Sequence, residues 1–488
     1  MEKAFDNDKY VKIQAEQILS RIKQFDNKLY LEFGGKLFDD YHASRVLPGF
    51  KPDSKIQMLR RLKDKTEFVI VANANDIQSN KIRNDLSITY ESEVLRLIDN
   101  FHSIGLEKGS VVINQFENQS NAISFIRKLK NLGYKVYKFY KIDGYPFNVD
   151  YILSEKGFGK NDFIITEKPL VVVTAPGPGS GKMSTCLSQL YNEHKRNIKA
   201  GYAKYETFPI WNLPLTHPVN LAYEAATADL NDINMIDQFH MDAYNVLAVN
   251  YNRDIEVFPI LKTIFERIYG TSPYKSPTDM GVNMAGFCIV NDEIACKASK
   301  DEIIRRYLDS IVKVKLGKFN ETAENKIFSI IKQLNINIED RKCVAEANKR
   351  SKKENVNVMA IELADGTVIT GKSSKLLRAP AAAIINALKH LAGIDHNLLV
   401  LSPFVLDPII KLKLENLGHS NPRLHVDEVL LILAVSATTN PMADLLIHQL
   451  DNLKNTQAHS TYILSYSDEH TLKKLAIDVT TEPSISGK

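Results

Sequence analysis

The chain is 488 residues long, which is enough for about three ordinary domains with substantial cores. Its hydrophobic content of 44% and charged content of 25% are typical of a soluble globular protein, and its net charge of +4 is too small to indicate nucleic acid as a partner. No apolar run approaches the ~18 residues of a membrane span, and the first residues lack the apolar core of a signal peptide. The four cysteines form no C-x-x-C pair. These features predict a cytoplasmic protein that binds neither membrane nor nucleic acid.

The first third of the chain alternates strand and helix patterns. Short β-branched or aromatic runs predict strands, and amphipathic runs predict helices. The predicted strands are residues 29–33, 67–72, 110–116 and 135–142, and the predicted helices are residues 54–64, 91–104 and 121–132. This alternation predicts a doubly wound, mostly parallel sheet. The glycine turn Gly34-Gly35-Lys36 could hold a phosphate but is interpreted as a plain turn.

A buried strand is predicted at residues 170–174, followed by a glycine-rich loop and a helix over about residues 182–196. The loop, Gly177-Pro178-Gly179-Ser180-Gly181-Lys182, is called the glycine loop below. Strand, glycine loop and helix in this order are typical of phosphate-binding loops, because backbone amides converge at a helix N-terminus. We therefore predict that phosphate is bound by Gly177, Gly179, Ser180, Gly181, Lys182 and Ser184.

The glycine loop departs from the Walker A pattern at one chemically important position. Met183 stands where a hydroxyl would hold Mg²⁺, so a site for a phosphorylated ligand is favoured over a Mg²⁺-dependent NTPase. The alternative is a glycine-rich turn that binds no ligand. No usual metal-ligand spacing is present, so no metal site is predicted, and the residues identify no cofactor.

The middle of the chain is predicted to be mainly helical. Helices are expected around residues 217–230, 254–269, 301–314 and 322–334, and residues 272–283 have the composition of an irregular polar loop. Arg253 could bind an anionic ligand, and Asp254 is predicted to cap a helix. Arg253, Asp254, Asp279 and Asn283 are the candidate substrate-binding residues. If they form a substrate site, Asp279 and Asn283 should share a cleft with the glycine loop.

The C-terminal part contains a second phosphate-loop string. Residues 366–373, Gly-Thr-Val-Ile-Thr-Gly-Lys-Ser, match G-x-x-x-x-G-K-[ST] letter for letter. A strand pattern and an Asp365-Gly366 turn come first, which predicts a β-hairpin rather than a phosphate site. A charged linker is predicted at residues 345–357. It is followed by a helix at 378–392, a strand at 398–401 and further helices, which end with the segment 460–465.

The whole pattern predicts an α/β protein of several domains. We expect a doubly wound, mostly parallel sheet, a helical middle segment and a C-terminal α/β domain. The predicted domains are residues 1–199, ending with the glycine loop and its helix, residues 200–345, mainly helical, and residues 346–488.

Several long runs resemble a known bacterial family. They are residues 171–182, 205–214, 250–254, 276–286 and 421–428, among them Tyr-Glu-Thr-Phe-Pro-Ile-Trp-Asn-Leu-Pro and Asn-Pro-Arg-Leu-His-Val-Asp-Glu. They are similar to uncharacterised protein family 0371, the domain of unknown function 1846. The resemblance covers nearly the full chain. It implies a multi-domain α/β fold without an established activity.

Two classes of function remain open. The first is an enzyme that acts on a phosphorylated metabolite or nucleotide, with Lys182 as the phosphate anchor. The second is a ligand-binding or regulatory protein that uses the same loop without turnover. They differ in whether a base or nucleophile lies within reach of the loop. The sequence leaves homo-oligomer formation open.

Overall fold

The computed structural model describes residues 3–35, 37–38, 40–83 and 86–485, so Lys36 of the first glycine turn lies outside the described residues. The chain forms two compact units. The N-terminal unit comprises Glu2–Glu224 and Asp232–Ser299, and the C-terminal unit comprises Ala225–Asn231 and Lys300–Lys488. In the described part of the chain, no helix is both long and apolar enough to cross a membrane.

The N-terminal unit is built on a sheet of seven strands that all run parallel. The strands of this unit are β1 (Leu29–Phe33), β2 (Thr66–Asn73), β3 (Ile82–Arg83), β4 (Ile88–Thr89), β5 (Gly109–Phe116), β6 (Lys135–Tyr140), β7 (Leu170–Thr174), β8 (Gly201–Tyr205), β9 (Asn234–Ile236), β10 (Val249–Tyr251) and β11 (Gly281–Val282). The sheet order is β11-β8-β1-β7-β2-β5-β6. The pairs β3–β4 and β9–β10 are antiparallel and separate from it.

Helices surround this sheet in the N-terminal unit. They are α1 (Asn7–Lys23), α2 (Tyr41–Val46), α3 (Ser54–Leu62), α4 (Ala74–Gln78), α5 (Tyr90–Ser103), α6 (Ser120–Asn131), α7 (Val149–Ile152), α8 (Lys182–His194), α9 (Pro218–Ala226), α10 (Gln238–Tyr244), α11 (Asn252–Tyr269), α12 (Pro277–Met280) and α13 (Asp292–Lys315), whose second part belongs to the C-terminal unit. All residues of β1 and β7 are buried, as expected for central strands of a parallel sheet. The predicted α/β class is confirmed.

The connections around β7 reverse direction. From β2 the chain continues to the neighbouring β5, towards one edge of the sheet, whereas from β7 it continues to β8, towards the other edge. Adjacent strands whose connections leave in opposite directions create a crevice at their carboxyl ends, where α/β proteins bind ligands. The glycine loop follows β7 and therefore begins at this crevice.

The C-terminal unit has its own mixed sheet of four strands in the order β13-β12-β14-β15. The strands are β12 (Val358–Glu362), β13 (Val368–Lys372), β14 (Gln457–Ser460) and β15 (Asp478–Thr481), of which only β14 and β15 pair in parallel. Its further helices are α14 (Glu321–Gln333), α15 (Lys342–Glu354), α16 (Ala379–Leu391), α17 (Pro403–Lys411), α18 (Val426–Ala437), α19 (Pro441–Ile447) and α20 (Tyr466–Lys474). Apolar residues of β12, α16 and α18 share one core.

Several predicted elements were wrong. Residues 398–401 form no strand, because Leu398 and Leu399 are exposed and the segment leads into α17. The predicted charged linker at 345–357 is largely helix α15, where Arg350 pairs with Glu354 one turn later at 3.0 Å. The predicted irregular loop at 272–283 contains α12 and β11, and β11 is an edge strand of the main sheet.

Candidate functional site

The glycine loop has the predicted surroundings. β7 is buried along its whole length, and α8 begins at Lys182, directly after the loop. Gly181 is the N-cap of α8 and has the left-handed conformation, with φ of 94° and no side-chain acceptor for the first helical amides. The first turn of α8 therefore presents backbone N–H groups without a capping side chain.

Two glycines of the loop are required by side chains from neighbouring elements. A Cβ atom on Gly177 would lie 2.2 Å from the hydroxyl oxygen of Tyr90, and one on Gly181 would lie 1.8 Å from Nδ2 of Asn114. Gly179 has open space around it but a φ of 74°, which favours glycine through backbone conformation alone. Packing and backbone conformation thus account for all three glycines even without a ligand.

Two asparagines hold the carbonyls of the glycine loop. Asn114 donates from Nδ2 to the carbonyl of Ser180 at 3.1 Å, and Asn73 donates to the carbonyl of Gly179 at 3.5 Å. In a trans peptide the following N–H points opposite to the carbonyl. The N–H groups of Ser180 and Gly181 therefore point away from these asparagines, as in an anion-binding nest.

The side chains of the glycine loop differ in their availability to a ligand. The buried hydroxyl of Ser180 donates to the carbonyl of Gly177 at 2.9 Å. Ser184 hydrogen-bonds to the hydroxyl of Tyr145, whose pKa burial raises to about 12, so that it stays protonated at neutral pH. Lys182 has no acidic partner within 4.0 Å in the described ranges. The lysine and the backbone amides are thus the groups available for an anion.

Four ionisable residues form what we call the ion cluster: Glu32, Lys204, Glu206 and Asp254. The ammonium of Lys204 lies 2.7 Å from Oε1 of Glu206 and also contacts the carboxylate of Asp254. Glu32 accepts a hydrogen bond of 2.8 Å from the hydroxyl of Tyr202. The cluster thus places three carboxyl groups beside one cation.

The ion cluster lies next to the glycine loop across the sheet. Glu32 on β1 is the register partner of Val173 on β7 and of Lys204 on β8. With neighbouring strands ~4.8 Å apart, the backbones of Glu32 and Lys204 lie about 5 and 10 Å from β7. The pKa of the Cys186 thiol depends on groups from both regions. Burial raises this pKa, Glu32 of the ion cluster raises it further, and Lys182 of the glycine loop lowers it.

Glu206 is the titrating member of the ion cluster. Burial raises its pKa to about 7; the attraction of Lys204 opposes this increase, and repulsion from Asp254 adds to it. Burial disfavours the ammonium of Lys204, but Asp254 and Glu206 hold its pKa above the usual value. A carboxyl group that exchanges its proton near neutral pH has the property required of a general acid or base.

A cavity of about 180 Å³ adjoins the ion cluster at Glu206. Asp279 and Asn283, two of the predicted substrate-binding residues, line it. Its other lining residues are Gln17, Arg21, Pro209, Trp211, His240, Val249, Asn250, Thr278, Gly281, Val282 and Met284. Asn283 follows β11, three strands from β7, which corresponds to about 14 Å across the sheet. The lining includes no residue of the glycine loop, so a cleft shared by both stays a prediction.

The side chains of Asp279 and Asn283 have structural partners in the cavity wall. Asn283 donates from Nδ2 to the carbonyl of Pro209 at 2.9 Å. Asp279 accepts from the hydroxyl of Tyr244 at 2.8 Å, and its Oδ1 lies 4.0 Å from Nδ1 of His240. Asn283 therefore shapes the wall, whereas Asp279 and His240 form a pair of ionisable groups beside the cavity.

The side chains of Arg253 and Asp254 have different partners, although the two residues are neighbours in the sequence. Both ends of the Arg253 guanidinium contact Asp232, with Nε 2.8 Å from Oδ1. Asp254 does not cap a helix as predicted, because α11 begins at Asn252 with Tyr251 as N-cap. Its carboxylate belongs to the ion cluster instead.

The second glycine string forms the predicted hairpin. β12 and β13 are antiparallel, and the turn between them includes Gly366, with φ of 83°. A Cβ on Gly371 would lie 2.0 Å from the backbone nitrogen of Ala383 in α16. Lys372 is paired with Glu354 at 2.6 Å. The string thus serves strand packing and a surface ion pair.

One group of side chains in the described residues has metal-ligand chemistry: His217, Asp292 and Cys296, whose ligand atoms lie within 4.8 Å of one another. Nε2 of His217 is 3.0 Å from Asp292 and 3.6 Å from the sulfur of Cys296. The amide of Val219 donates to Nδ1 of the same ring at 3.2 Å, which assigns the ring proton to Nε2. A metal ion would have to displace that proton and the Val219 hydrogen bond.

The residues that surround the glycine loop were not predicted from the sequence. Asn73 and Asn114 stand at or near the ends of β2 and β5, two predicted strands, so the shared carboxyl edge was a usable signal. Lys204 and Glu206 gave no such signal, because β8 was not predicted. Arg21 lies on α1, which was not assigned either.

Nearly the whole chain is similar to known proteins. Residues 3–335 match the family described as domain of unknown function DUF1846, N-terminal, and residues 339–488 match its C-terminal counterpart. UPF0371 proteins of Streptococcus uberis and of Streptococcus equi subsp. zooepidemicus are each 52% identical over 480 residues, which cover 98% of this chain and 97% of the relative. A UPF0371 protein of Streptococcus pyogenes is 51% identical with the same coverage.

Proposed function

We propose a function for this chain, which belongs to uncharacterised protein family 0371, the family with the domain of unknown function 1846. We propose that it is a cytoplasmic protein that binds a phosphorylated metabolite or nucleotide through the glycine loop. The first turn of α8 is the observation on which the proposal rests. Its backbone N–H groups have no side-chain cap. Its first residue, Lys182, has no ion pair among the described residues. Anions bind at such helix ends because the N–H groups and the helix dipole both favour negative charge.

The position of the glycine loop supports this proposal. The loop follows a central buried strand at the point where the connections of the sheet diverge. Asn73 and Asn114 already hold its carbonyls, so little backbone ordering would accompany ligand binding. Together these features favour a ligand-binding loop over an ordinary strand–helix turn.

The ion cluster favours an enzyme over a binding protein without turnover. Glu206, with a pKa of about 7, could accept or donate a proton at neutral pH. Its neighbour Lys204 lies about two strand spacings from β7, within the dimensions of a metabolite-sized site. Binding without turnover is the alternative, and it predicts that Glu206→Gln leaves the bound ligand chemically unchanged, as the wild type does.

Mg²⁺ has a limited role in this proposal. Met183 occupies the position whose hydroxyl would coordinate the ion in a phosphate loop of the NTPase type. Ser184, the next residue, is engaged by Tyr145. Ligand affinity should therefore depend little on Mg²⁺.

The test compares the two lysines that end the two glycine strings. Lys182→Ala should weaken binding by about 1.5–3 kcal/mol, the size of one charge-assisted contact, and leave folding nearly intact. Lys372→Ala, in the better Walker string, should leave binding unchanged. Calorimetric titration of nucleotides and phosphorylated sugars into wild type and both variants, with and without Mg²⁺, measures this difference.

The same titrations can contradict the proposal in two ways. A ligand that loses affinity equally in both variants, or in neither, would show that the glycine loop does not hold its phosphate. Strict dependence on Mg²⁺ together with ATP hydrolysis would show an NTPase despite Met183.

A further inference from the structure

The C-terminal unit has an unusually apolar surface on helices α17, α18 and α19. After Glu428, α18 continues as Val-Leu-Leu-Ile-Leu-Ala-Val-Ser-Ala without a charged residue. Val429, Ile432 and Leu433 are buried, whereas Leu431 and Val435 point outwards. A helix that is apolar on all sides is normally buried on all sides, so the outer face of α18 lacks the polar residues expected against water.

Helix α17 also exposes apolar side chains, among them Phe404, together with the charged Asp407 and Lys411. Asn440, just after α18, donates from Nδ2 to the carbonyl of Val400, just before α17, at 3.0 Å. At the other end, Lys413 in the π-helical turn after α17 contacts Glu428 in the first turn of α18 at 2.7 Å. The two helices therefore run side by side in opposite directions. Leu406 of α17 and the inner residues of α18 belong to the same core, so the exposed residues of both helices point away from that core.

The exposed apolar residues of α17–α19 and of the turns beside these helices present a large area in total. The residues that contribute most are Leu399 (80% exposed), Phe404 (90%), Leu417 (63%), Leu431 (69%), Val435 (70%) and Leu445 (51%). At no more than about 150 Å² for each fully exposed side chain, they present on the order of 600 Å² in total. The largest apolar patch of an ordinary monomer is about 300–600 Å². Each partner in a standard protein complex buries about 800 Å².

We propose that this surface, the outer face of α17–α19, is an isologous interface between two copies of the chain. Identical patches meet across a twofold axis, so the outer residues of α17 and α18 in one copy cover those of the other. The interface lies within the C-terminal unit and does not depend on the ligand proposed for the glycine loop.

A second copy fits this surface better than a different partner for two reasons. The six side chains above carry no charge, and the two exposed charged residues of α17, Asp407 and Lys411, have opposite signs. Depletion of charge at the centre and a high apolar fraction are features of homodimer interfaces, whereas transient complexes use more polar surfaces. The available area also matches one standard interface without a contribution from another region.

Sedimentation velocity of the full chain over a range of micromolar concentrations tests the proposal. Wild type should sediment as a dimer. Phe404→Asp and Leu431→Asp should each raise the dissociation constant by about a hundredfold or more, because an isologous interface contains each substitution twice. Both side chains are mostly exposed in the single chain, so the variants should keep the wild-type circular dichroism spectrum.

Phe147→Asp is the matched control, because Phe147 is 79% exposed but lies in the N-terminal unit. It should sediment like wild type. The milder Val435→Ser should shift the equilibrium in the same direction as Leu431→Asp, by a smaller factor, and provides the test if a charged variant fails to fold. A monomeric wild type, a dimer unaffected by the α17 and α18 variants, or equal dissociation of Phe147→Asp would overturn the proposal.

Discussion

The two glycine strings of this chain have similar sequence patterns but very different structural surroundings. The glycine loop, Gly177–Lys182, connects a buried parallel strand to α8 and contains no acid paired with its lysine among the described residues. The second string, residues 366–373, turns a hairpin, and its lysine is paired with Glu354. The string that matches Walker A letter for letter therefore has the less suitable geometry for phosphate. Amide direction and a free cation, rather than letter order, decide whether a glycine loop can hold an anion.

The sharpest way to test this comparison is to add one methyl group to the second string. Gly371→Ala places Cβ against the backbone of α16, which cannot move as a side chain can. We expect a loss of about 3 kcal/mol or more in the free energy of unfolding, measured by urea denaturation. Gly366→Ala, which meets only a lysine tip but keeps a positive φ, should lose about 1 kcal/mol. Equal losses would assign the effect to backbone conformation instead of packing.

A second test uses the carboxyl groups near the two strings, because their pKa values shift in opposite directions. Burial raises the pKa of Glu206 to about 7, whereas hydrogen bonds from Lys372 and Arg350 lower the pKa of Glu354. Folded protein thus retains the Glu206 proton where unfolded protein has lost it. The free energy of unfolding should therefore fall as pH rises from about 4.5 to 7. Glu206→Gln removes this fall and should stabilise the protein by about 3 kcal/mol at pH 8.

Denaturant titrations at several pH values between 5 and 8 measure this effect. Glu354→Gln is the control, and its unfolding curves should keep the pH dependence of wild type in this range because that carboxyl, whose pKa is lowered, is already ionised. Unchanged pH dependence in Glu206→Gln would show that the carboxyl is ionised in the folded protein at neutral pH.

The smallest expected effect concerns the support of the glycine loop. Asn114→Ala removes the hydrogen bond to the carbonyl of Ser180 and should lower the free energy of unfolding by about 1 kcal/mol. It should also weaken phosphate binding, since the adjacent amides lose their fixed direction. Asn73→Ala, which removes a longer bond, should have a smaller effect on both. Thermal unfolding and calorimetry measure the two quantities, and stronger binding by Asn114→Ala would contradict the idea of a preformed loop.

The sequence predicted the fold best where one pattern was long and unmixed. The all-apolar run of β7 and the alternation of strands and helices before it led to the parallel sheet, and the Asp365-Gly366 turn led to the hairpin. Strand β8, Gly-Tyr-Ala-Lys-Tyr, was missed because Lys204 interrupts its apolar pattern. The ammonium group of Lys204 makes the strand hard to recognise in the sequence. In the fold, the same group is paired with the carboxylates of Glu206 and Asp254.

The candidate site could be predicted only in part for a related reason. The glycine loop is contiguous in the chain, so local rules describe it. The ion cluster combines residues of β1, β8, the segment after β8 and α11. These segments are far apart in the sequence and come together only in the folded chain. Asp254 illustrates the limit: as a carboxylate near the start of a helix it resembled a cap, but its partner is 50 residues away.

The ends of the main sheet have a consequence for how copies of this chain can associate. At one end β11 contributes only two residues, so it offers almost no free backbone for a further strand. At the other end, two outward amides of β6 are already bound, because Asp162 accepts from the amide of Lys138 at 2.7 Å and Asn161 from that of Tyr140 at 2.9 Å. These two features hinder the addition of a strand from another molecule to this sheet. Both margins of the main sheet are therefore poor templates for the edge-to-edge pairing that starts fibres.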